Sequence, residues 1–186
     1  MPSEKALRFG RADARTAGIV WDSLERWFGQ RLVRTLKTRG EIYVSSNRWA
    51  EIYLVPPVQV ELVELLAAST GLHPYSAGLF LGYLERGGYK PSLPLAHLVA
   101  RYAERGLVTV SEKAASLFLY GRDLFPGSIT GYRGPLERGS LVVVLNPRGE
   151  ALGYGVVVAA PHEWSPGSVV AVKNVRDLGW YLRRGG

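Results

Sequence analysis

SEKAASLFLYGRDLFPGSI, residues 111–129, opens on a serine, runs through Ala, Leu and Phe, and stops at Tyr120-Gly121. Ser111 carries the short polar side chain that caps a helix start, and Glu112 suits the positive end of the helix dipole. After Gly121 come Arg122, Asp123 and the pair Pro126-Gly127, and the chain turns apolar again at Ile129. Two readings of this loop are open. It is a helix C-cap followed by a turn into a strand, or it is a place where another molecule's backbone comes close. In the second reading Gly121 and Gly127 bare their N–H groups beside Arg122.

The texture differs on the two sides of that helix. Downstream, the chain to residue 174 is valine-rich and punctuated by Gly and Pro. LVVVL (141–145) and ALGYGVVVA (151–159) flank Asn146-Pro147-Arg148-Gly149, which fits a type I turn with proline second and glycine fourth. Gly153 and Gly155 suit a bent strand of a small barrel. SPGSVVAVKNV (165–175) adds a turn and a strand, and DLGWYLRR (177–184) closes in one or two helical turns. Just upstream, LVTV (107–110) is a strand.

Further upstream, helices and strands alternate. WDSLERWFGQRLVRTL (21–36) sets Trp21, Leu24, Phe28 and Leu32 at helical spacing. EIYVSSNRWAEIYLV (41–55) reads as two strands about a Ser45-Ser46-Asn47 turn. Pro56-Pro57 ends the second strand and starts the helix VQVELVELLAAST, closed by Gly71. YKPSLPL (89–95) reads as extended, and LAHLVARYAER (95–105) as a helix with Gly106 behind it. The expected fold is α+β. An α/β domain with an antiparallel sheet and flanking helices fills 1–105, and a small β-rich domain fills 106–186.

With 47% hydrophobic and 21% charged residues the chain belongs among globular proteins. Its longest aliphatic runs fall far short of the ~20 apolar residues that span a bilayer. The start, MPSEKALRFGRADAR, lacks the apolar core of a signal peptide. A soluble, cytoplasmic protein with no membrane partner is expected. The absence of cysteine excludes disulfides, thiolate metal sites and cysteine nucleophiles. The net charge of +7 favours a polyanionic partner, nucleic acid above all. Residues 1–105 hold 14 Lys/Arg against 10 Asp/Glu, and 106–186 hold 9 against 6. Any basic face must therefore be made by folding and not by one basic block.

No catalytic constellation emerges, so no catalytic residue, cofactor or metal is expected. Neither a G-x-G-x-x-G after a strand nor a G-x-x-x-x-G-K-[ST] occurs, and no G-x-S-x-G elbow supports a triad. His97 falls in a helix, His73 precedes a proline, His162 follows Pro161, and no two lie at metal-ligand spacing. Glu61 and Glu64 read as a solvated helix face.

Three segments suit RNA, which wants cations, bare backbone and flat side chains. The first is Lys173-Asn174-Val175-Arg176. If 176–184 is helical, Arg176, Trp180 and Arg183 share a face. Trp180 then stacks on a base or holds Arg183 by a cation–π contact; a solvated C-terminus is the plainer alternative. The second is the Gly121–Gly127 loop with Arg122. The third is Arg26, Arg31, Arg34, Lys37, Arg39 and Arg48 interleaved with Trp27, Tyr43 and Trp49, where the aromatics equally suit a core.

These stretches together bear a family resemblance. Leu107 to Arg184 resembles a PUA domain in VSEKAASLFLYGRDLFPGSI, GSLVVVLNPRGEALGYGVVVA and SVVAVKNVRDLGWYLRR. SAGLFLGYLERGGYKPSLPLAHLVARYA (76–103), running into that domain, is similar to the two-domain Nip-seven family of archaeal and eukaryotic ribosome-biogenesis factors. The resemblance implies an N-terminal α/β domain followed by a C-terminal PUA pseudobarrel. It implies a non-catalytic RNA-binding assembly factor for large-subunit biogenesis and pre-rRNA processing. RNA would lie along the loop after the first PUA helix and along the last strand, which map to Gly121–Gly127 and Lys173–Arg176. The family's surface cations map to Lys173, Arg176, Arg183 and Arg184. The expected interface is thus Gly121, Arg122, Lys173, Asn174, Arg176, Arg183 and Arg184.

The expected partners are single-stranded pre-rRNA, with uridine-rich sequence as a candidate, and ribosome-assembly or RNA-processing proteins on the N-terminal domain of a monomer. The setting would be the cytoplasm, or the nucleolus in a eukaryote. Two other classes stay open: an RNA-modification enzyme subunit with a PUA accessory domain, and a basic adaptor for acidic protein surfaces.

Overall fold

The computed structural model describes residues 9–46, 49–71, 74–86, 88–164, 169–180 and 183, with the backbone alone at Ser46. It is α+β, as the sequence leads one to expect. The chain gathers into two compact units, one of Met1–Ser23 with Val33–Leu95 and one of Leu24–Leu32 with Ala96–Gly186. That grouping differs from a cut at residue 105, because a piece of the N-terminal helices goes with the C-terminal strands.

The first unit is built on an antiparallel meander. β1 (Phe9–Arg11), β2 (Glu41–Ser46), β3 (Ala50–Val55), β4 (Leu79–Glu85) and β5 (Gly88–Pro91) follow one another across the sheet in chain order. Tyr43 lies opposite Tyr53 in the β2–β3 register. Both rings meet Phe9, at 5.4 and 5.7 Å between centroids, and Val55 and Val60 complete the cluster. Val60 belongs to α3 (Pro57–Thr70), which starts on its proline as expected. The opposite side of α3 leaves Val58, Leu62, Leu65 and Leu66 exposed.

Ser45 and Ser46, expected in a turn, are the last residues of β2, opposite Glu51 and Ala50 of β3. Three further boundaries depart from the sequence reading. The helix expected over 21–36 is two helices, α1 (Ala14–Phe28) and α2 (Gln30–Lys37). The carboxylate of Glu104 accepts the Arg31 N–H at 2.9 Å, so a distant acid caps α2 at the break. The segment 89–95, expected to be extended, holds β5 and then the start of α4 (Leu93–Tyr102). Ser92 caps α4 through the Leu95 N–H at 3.4 Å while its own hydroxyl donates to the Phe80 carbonyl. The third departure is at the C-terminus: residues 172–177 are strand throughout, so Arg176 is not on a helix.

The second unit holds β6 (Leu107–Val110), α5 (Glu112–Leu119), β7 (Ile129–Arg133), β8 (Leu141–Leu145), β9 (Ala151–Val157) and β10 (Val172–Asp177). The sheet order is β10-β9-β8-β6-β7, with β6 and β8 parallel and the other pairs antiparallel. Ser111 caps α5 by accepting the Ala114 N–H at 3.3 Å. The inner face of α5 sets Ala114, Ala115 and Phe118 against Val108, Val110, Val142, Val144 and Val157. This is the core on which the loop after α5 is hung. The Asn146–Gly149 turn forms as read, with the Gly149 N–H on the Asn146 carbonyl at 3.0 Å.

In this unit the rings of Phe28 and Tyr154 lie 6.5 Å apart, and the Glu104 N–H donates to the Phe28 carbonyl at 2.9 Å. These contacts draw Leu24–Leu32 to the C-terminal strands. No helix among the described residues is long and apolar enough to cross a membrane.

Candidate nucleic-acid interface

The loop after α5 answers first to the helix. The Gly121 N–H donates to the Phe118 carbonyl at 2.9 Å, and the Arg122 N–H to the Leu117 carbonyl at 3.1 Å. This pair of bonds with a left-handed residue between them is a Schellman cap, and Gly121 has φ +83°. Glycine is at 121 because the cap needs that conformation. The reading of a C-cap followed by a turn into a strand therefore holds: Gly121 is the cap, and Gly127 lies in the tight turn Pro126–Ser128, closed by the Ser128 N–H on the Phe125 carbonyl at 2.9 Å just before β7. The two readings are compatible at Gly127, where an added Cβ would meet only open space.

From the cap the chain runs along the free edge of β10. Leu124 bridges Val172: its N–H donates to the Val172 carbonyl at 2.8 Å, and its carbonyl accepts the Ala171 N–H at 2.8 Å. The Asp123 carboxylate then accepts the Asn174 N–H at 2.8 Å, and the Asn174 amide donates to the Phe118 carbonyl at 2.8 Å. The two segments expected to meet RNA thus form one continuous edge. Asn174 is the clasp between them, with its side-chain donor committed to the end of α5.

β10 can lie this close to β9 because of the glycines there. A Cβ at Gly153, where φ is +153°, would stand 2.2 Å from the Arg176 carbonyl oxygen. The β9–β10 register shifts between Asn174 and Arg176, leaving Val175 as the extra residue, 56% exposed. Such a bulge bends the strand and re-aims its side chains. Lys173 is exposed on one side of it, and Arg176 follows on the other.

The cations divide into two kinds. Lys173 and Arg122 are exposed. Arg176 lies over the Trp180 ring with its guanidinium carbon 5.3 Å from the centroid. Trp180 therefore holds Arg176, where the sequence offered Arg183. Arg183 turns inward instead, donating to both carboxylate oxygens of Asp177 at 3.0 and 2.9 Å and to the Leu119 carbonyl. The hydrogen bonds from Arg183 to Asp177, against a smaller opposing effect of burial, raise the guanidinium above its usual value. Arg183 is a brace between the C-terminus and α5. Arg184 lies outside the described residues.

Sequence reasoning passed over two aromatic side chains on this edge. Tyr120 is 72% exposed and Phe125 49% exposed, on either side of Arg122. An aromatic residue in a glycine-bounded loop was the available signal, since a loop side chain has little core to enter. Flat exposed rings beside cations are what stacking on single-stranded bases requires.

The third segment mixes core and surface residues. Tyr43 is core, Trp49 is exposed, and Arg48 lies outside the described residues. Arg26 and Arg31 belong to the second unit, whereas Arg34, Lys37 and Arg39 belong to the first. His97 and His162 are exposed, and His73 lies outside the described residues, as does Asn47 of the expected turn. Among the described residues no group of three or more His, Asp or Glu could hold a metal ion.

The profile of the UPF0113 PUA domain matches residues 106–186. A UPF0113 protein of Aeropyrum pernix is 35% identical over 143 residues, covering 76% of this chain and 73% of its own. One of Archaeoglobus fulgidus is 36% identical over 114 residues, 60% of this chain and 64% of its own. Among solved structures, a hypothetical protein of Pyrococcus horikoshii superposes with a TM-score of 0.63 at 15% identity over 94% of this chain and 99% of that one. A conserved PUA domain protein of Thermoplasma acidophilum gives a TM-score of 0.61 at 17% identity over 92% and 95%. At those identities the structural likeness is one of fold, and the fold is that of PUA-domain proteins. On the strength of the Aeropyrum relative and the match over 106–186, the chain belongs to the UPF0113 PUA-domain family.

Proposed function

We propose that this protein is a non-catalytic RNA-binding assembly factor for the large ribosomal subunit, of the Nip-seven type, acting on single-stranded pre-rRNA in the cytoplasm. Its two domains are 1–105 and 106–186, the second holding the RNA. The observation that carries the reading is the pairing of Leu124 with Val172, which joins the 120–128 loop and β10 into one edge. That edge presents Arg122, Lys173 and Arg176 for phosphates, Tyr120 and Phe125 for bases, and an open approach at Gly127. Asn174, Arg183 and Gly121 serve it as positioning residues.

The test is fluorescence anisotropy with short uridine-rich and adenine-rich single-stranded RNAs over a salt series. Three phosphate contacts give a log–log salt slope of about −2, at about −0.7 each. Arg122→Glu/Lys173→Glu/Arg176→Glu should lose most affinity and flatten that slope while keeping its melting temperature. An affinity flat across the salt range, or a variant that binds like the wild type, would remove the phosphate-contact mechanism. Arg183 is left out of the variant because its loss would disturb the fold itself.

The N-terminal domain supplies the protein contact. Its α3 exposes Val58, Leu62, Leu65 and Leu66 with Glu61 and Glu64 on the same helix, which bears no cation. In a chain of net charge +7, this acidic and apolar helix fits an apolar protein segment flanked by basic side chains.

A further inference from the structure

A second cationic site lies in the same unit, away from the β10 edge. A cleft of about 550 Å³ is lined by Arg26, Trp27, Arg105, Arg138, Gly139 and Ser140 among others. We propose that this cleft binds a nucleoside monophosphate unit, its phosphate on the arginines and its base against Trp27, either as one residue of an RNA strand or as a free nucleotide.

Charge at the cleft favours an anion. Three guanidinium-bearing residues line the cleft, against Glu137 within it and Glu163, which pairs with Arg138 from outside the lining, so the site keeps a surplus of one cation. Like charges gathered in a concave wall repel one another, and the field they focus there favours an anion. Donor supply favours it too. Arg105 uses Nη2 on the Glu25 carbonyl at 3.2 Å, at the last turn of α1, where a cation also meets the negative end of the helix. Arg138 uses Nη2 on Glu163 at 2.7 Å. Each guanidinium has five N–H donors in a fixed fork, so both are held in place with further donors to offer. A flat partner stands beside the cations. Arg26 lies over Trp27 with its guanidinium carbon 5.8 Å from the ring centroid, which puts a cation and an aromatic face at one wall. A base can stack against either. The volume falls within the range of small-molecule clefts and suits one nucleotide.

The site stands on residues other than those of the β10 edge, so the two readings fail separately. The probes are uridine and adenosine 5′-monophosphate, inorganic phosphate and a short single-stranded RNA, each titrated calorimetrically at low salt. The proteins are the wild type, Arg26→Glu/Arg138→Glu, Trp27→Leu, and Glu163→Gln as the control for loss of the Arg138–Glu163 ion pair, each checked for a cooperative melting transition.

The Arg26→Glu/Arg138→Glu pair should weaken binding of the mononucleotides or of the RNA at least about tenfold, the scale of truncating a charged contact. Whichever ligand weakens identifies the source, free nucleotide or strand. Trp27→Leu should weaken the nucleotides and leave inorganic phosphate as it was. If the charge-reversed pair keeps both mononucleotide and RNA affinity, the cleft is not a nucleotide site. If Arg122→Glu/Lys173→Glu/Arg176→Glu leaves RNA binding intact while the Arg26→Glu/Arg138→Glu pair abolishes it, the cleft stands and the β10 edge falls. The converse result, with mononucleotide affinity also unchanged in the Arg26→Glu/Arg138→Glu pair, removes the cleft and keeps the edge.

Discussion

Arg183 grips Asp177 through two hydrogen bonds, at 3.0 and 2.9 Å, and Asp177 is 1% exposed. The same guanidinium reaches the Leu119 carbonyl at the end of α5. One side chain near the C-terminus therefore satisfies a buried carboxylate and an orphan helix carbonyl together. Removing it strands the carboxylate, which is the costly way to break such a pair. Arg183→Gln should lower the melting temperature by several degrees, whereas Arg122→Gln, at an exposed position, should leave it nearly unchanged. Thermal melts followed by circular dichroism decide this, and equal melts would return Arg183 to the pool of free surface cations.

Gly121 and Gly127 separate fold from binding. At Gly121 the positive φ makes any side chain strained, so Gly121→Ala should cost about 1 kcal/mol, with Asn better tolerated than Ala. At Gly127 a Cβ meets nothing, so Gly127→Val should change stability by no more than about 0.5 kcal/mol. Its effect should appear in RNA affinity instead, because bulk is added where the strand approaches. A Gly127→Val protein with unaltered melt and unaltered RNA affinity would show that nothing passes there.

How much of this was legible in the sequence follows from how local each cause is. The span of α5 could be read because Ser111 and Gly121 act within one turn of the helix ends. The two halves of the interface could be named because each is a short run of characteristic residues. Their joining could not, since it rests on Leu124 meeting Val172 and Asp123 meeting Asn174, some fifty residues apart. The same holds for Arg183: spacing offered a helical face shared with Arg176, but burial of Asp177 turned it the other way. The break between α1 and α2 had a local signal in Gly29, whose φ of +94° ends α1, but the cap on α2 comes from Glu104, 73 residues from the N–H it accepts. Composition gave the charge, and the fold alone divided it between free cations and braces.

Glu163 gives a pH dependence. The Ala160 N–H, then Arg138, hold its carboxyl below the usual glutamate value of 4.5. With a folded value depressed below the unfolded one, the unfolded chain takes up the proton first as the pH falls. The stabilisation is full above 4.5 and is lost as the pH drops through the folded value. Glu163→Gln should therefore melt lower than wild type at neutral pH, and the two melting temperatures should converge in acid. Parallel curves down through the acid range would assign the difference to something other than this ionisation.

The exposed leucines of α3 should be dispensable for folding. Leu62→Lys/Leu65→Lys removes apolar surface already in water, so stability should stay within about 0.5 kcal/mol per site. Binding of a basic amphipathic model peptide, read by fluorescence anisotropy, should weaken in this variant and not in Arg122→Gln. A peptide that binds both proteins equally would take the docking role away from α3.

Asn174 tests whether the interface is positioned or merely adjacent. Its amide donates to the Phe118 carbonyl, and its N–H meets Asp123. Asn174→Ala deletes the first bond and should cost about 1 kcal/mol. Asn174→Asp is nearly the same shape but turns an acceptor toward that carbonyl and adds a negative charge beside Asp123. It should cost more, about 2 kcal/mol, from the unpaired and repelling oxygens. Because the amide N–H that Asn174 donates to Phe118 fixes the loop against β10, its effect on RNA should come through the loop. The alanine variant should lose affinity by the same factor for uridine-rich and adenine-rich strands and keep the wild-type salt slope, since no phosphate contact is removed. A slope reduced by about 0.7 would instead place Asn174 on a phosphate, making it a contact rather than a clasp.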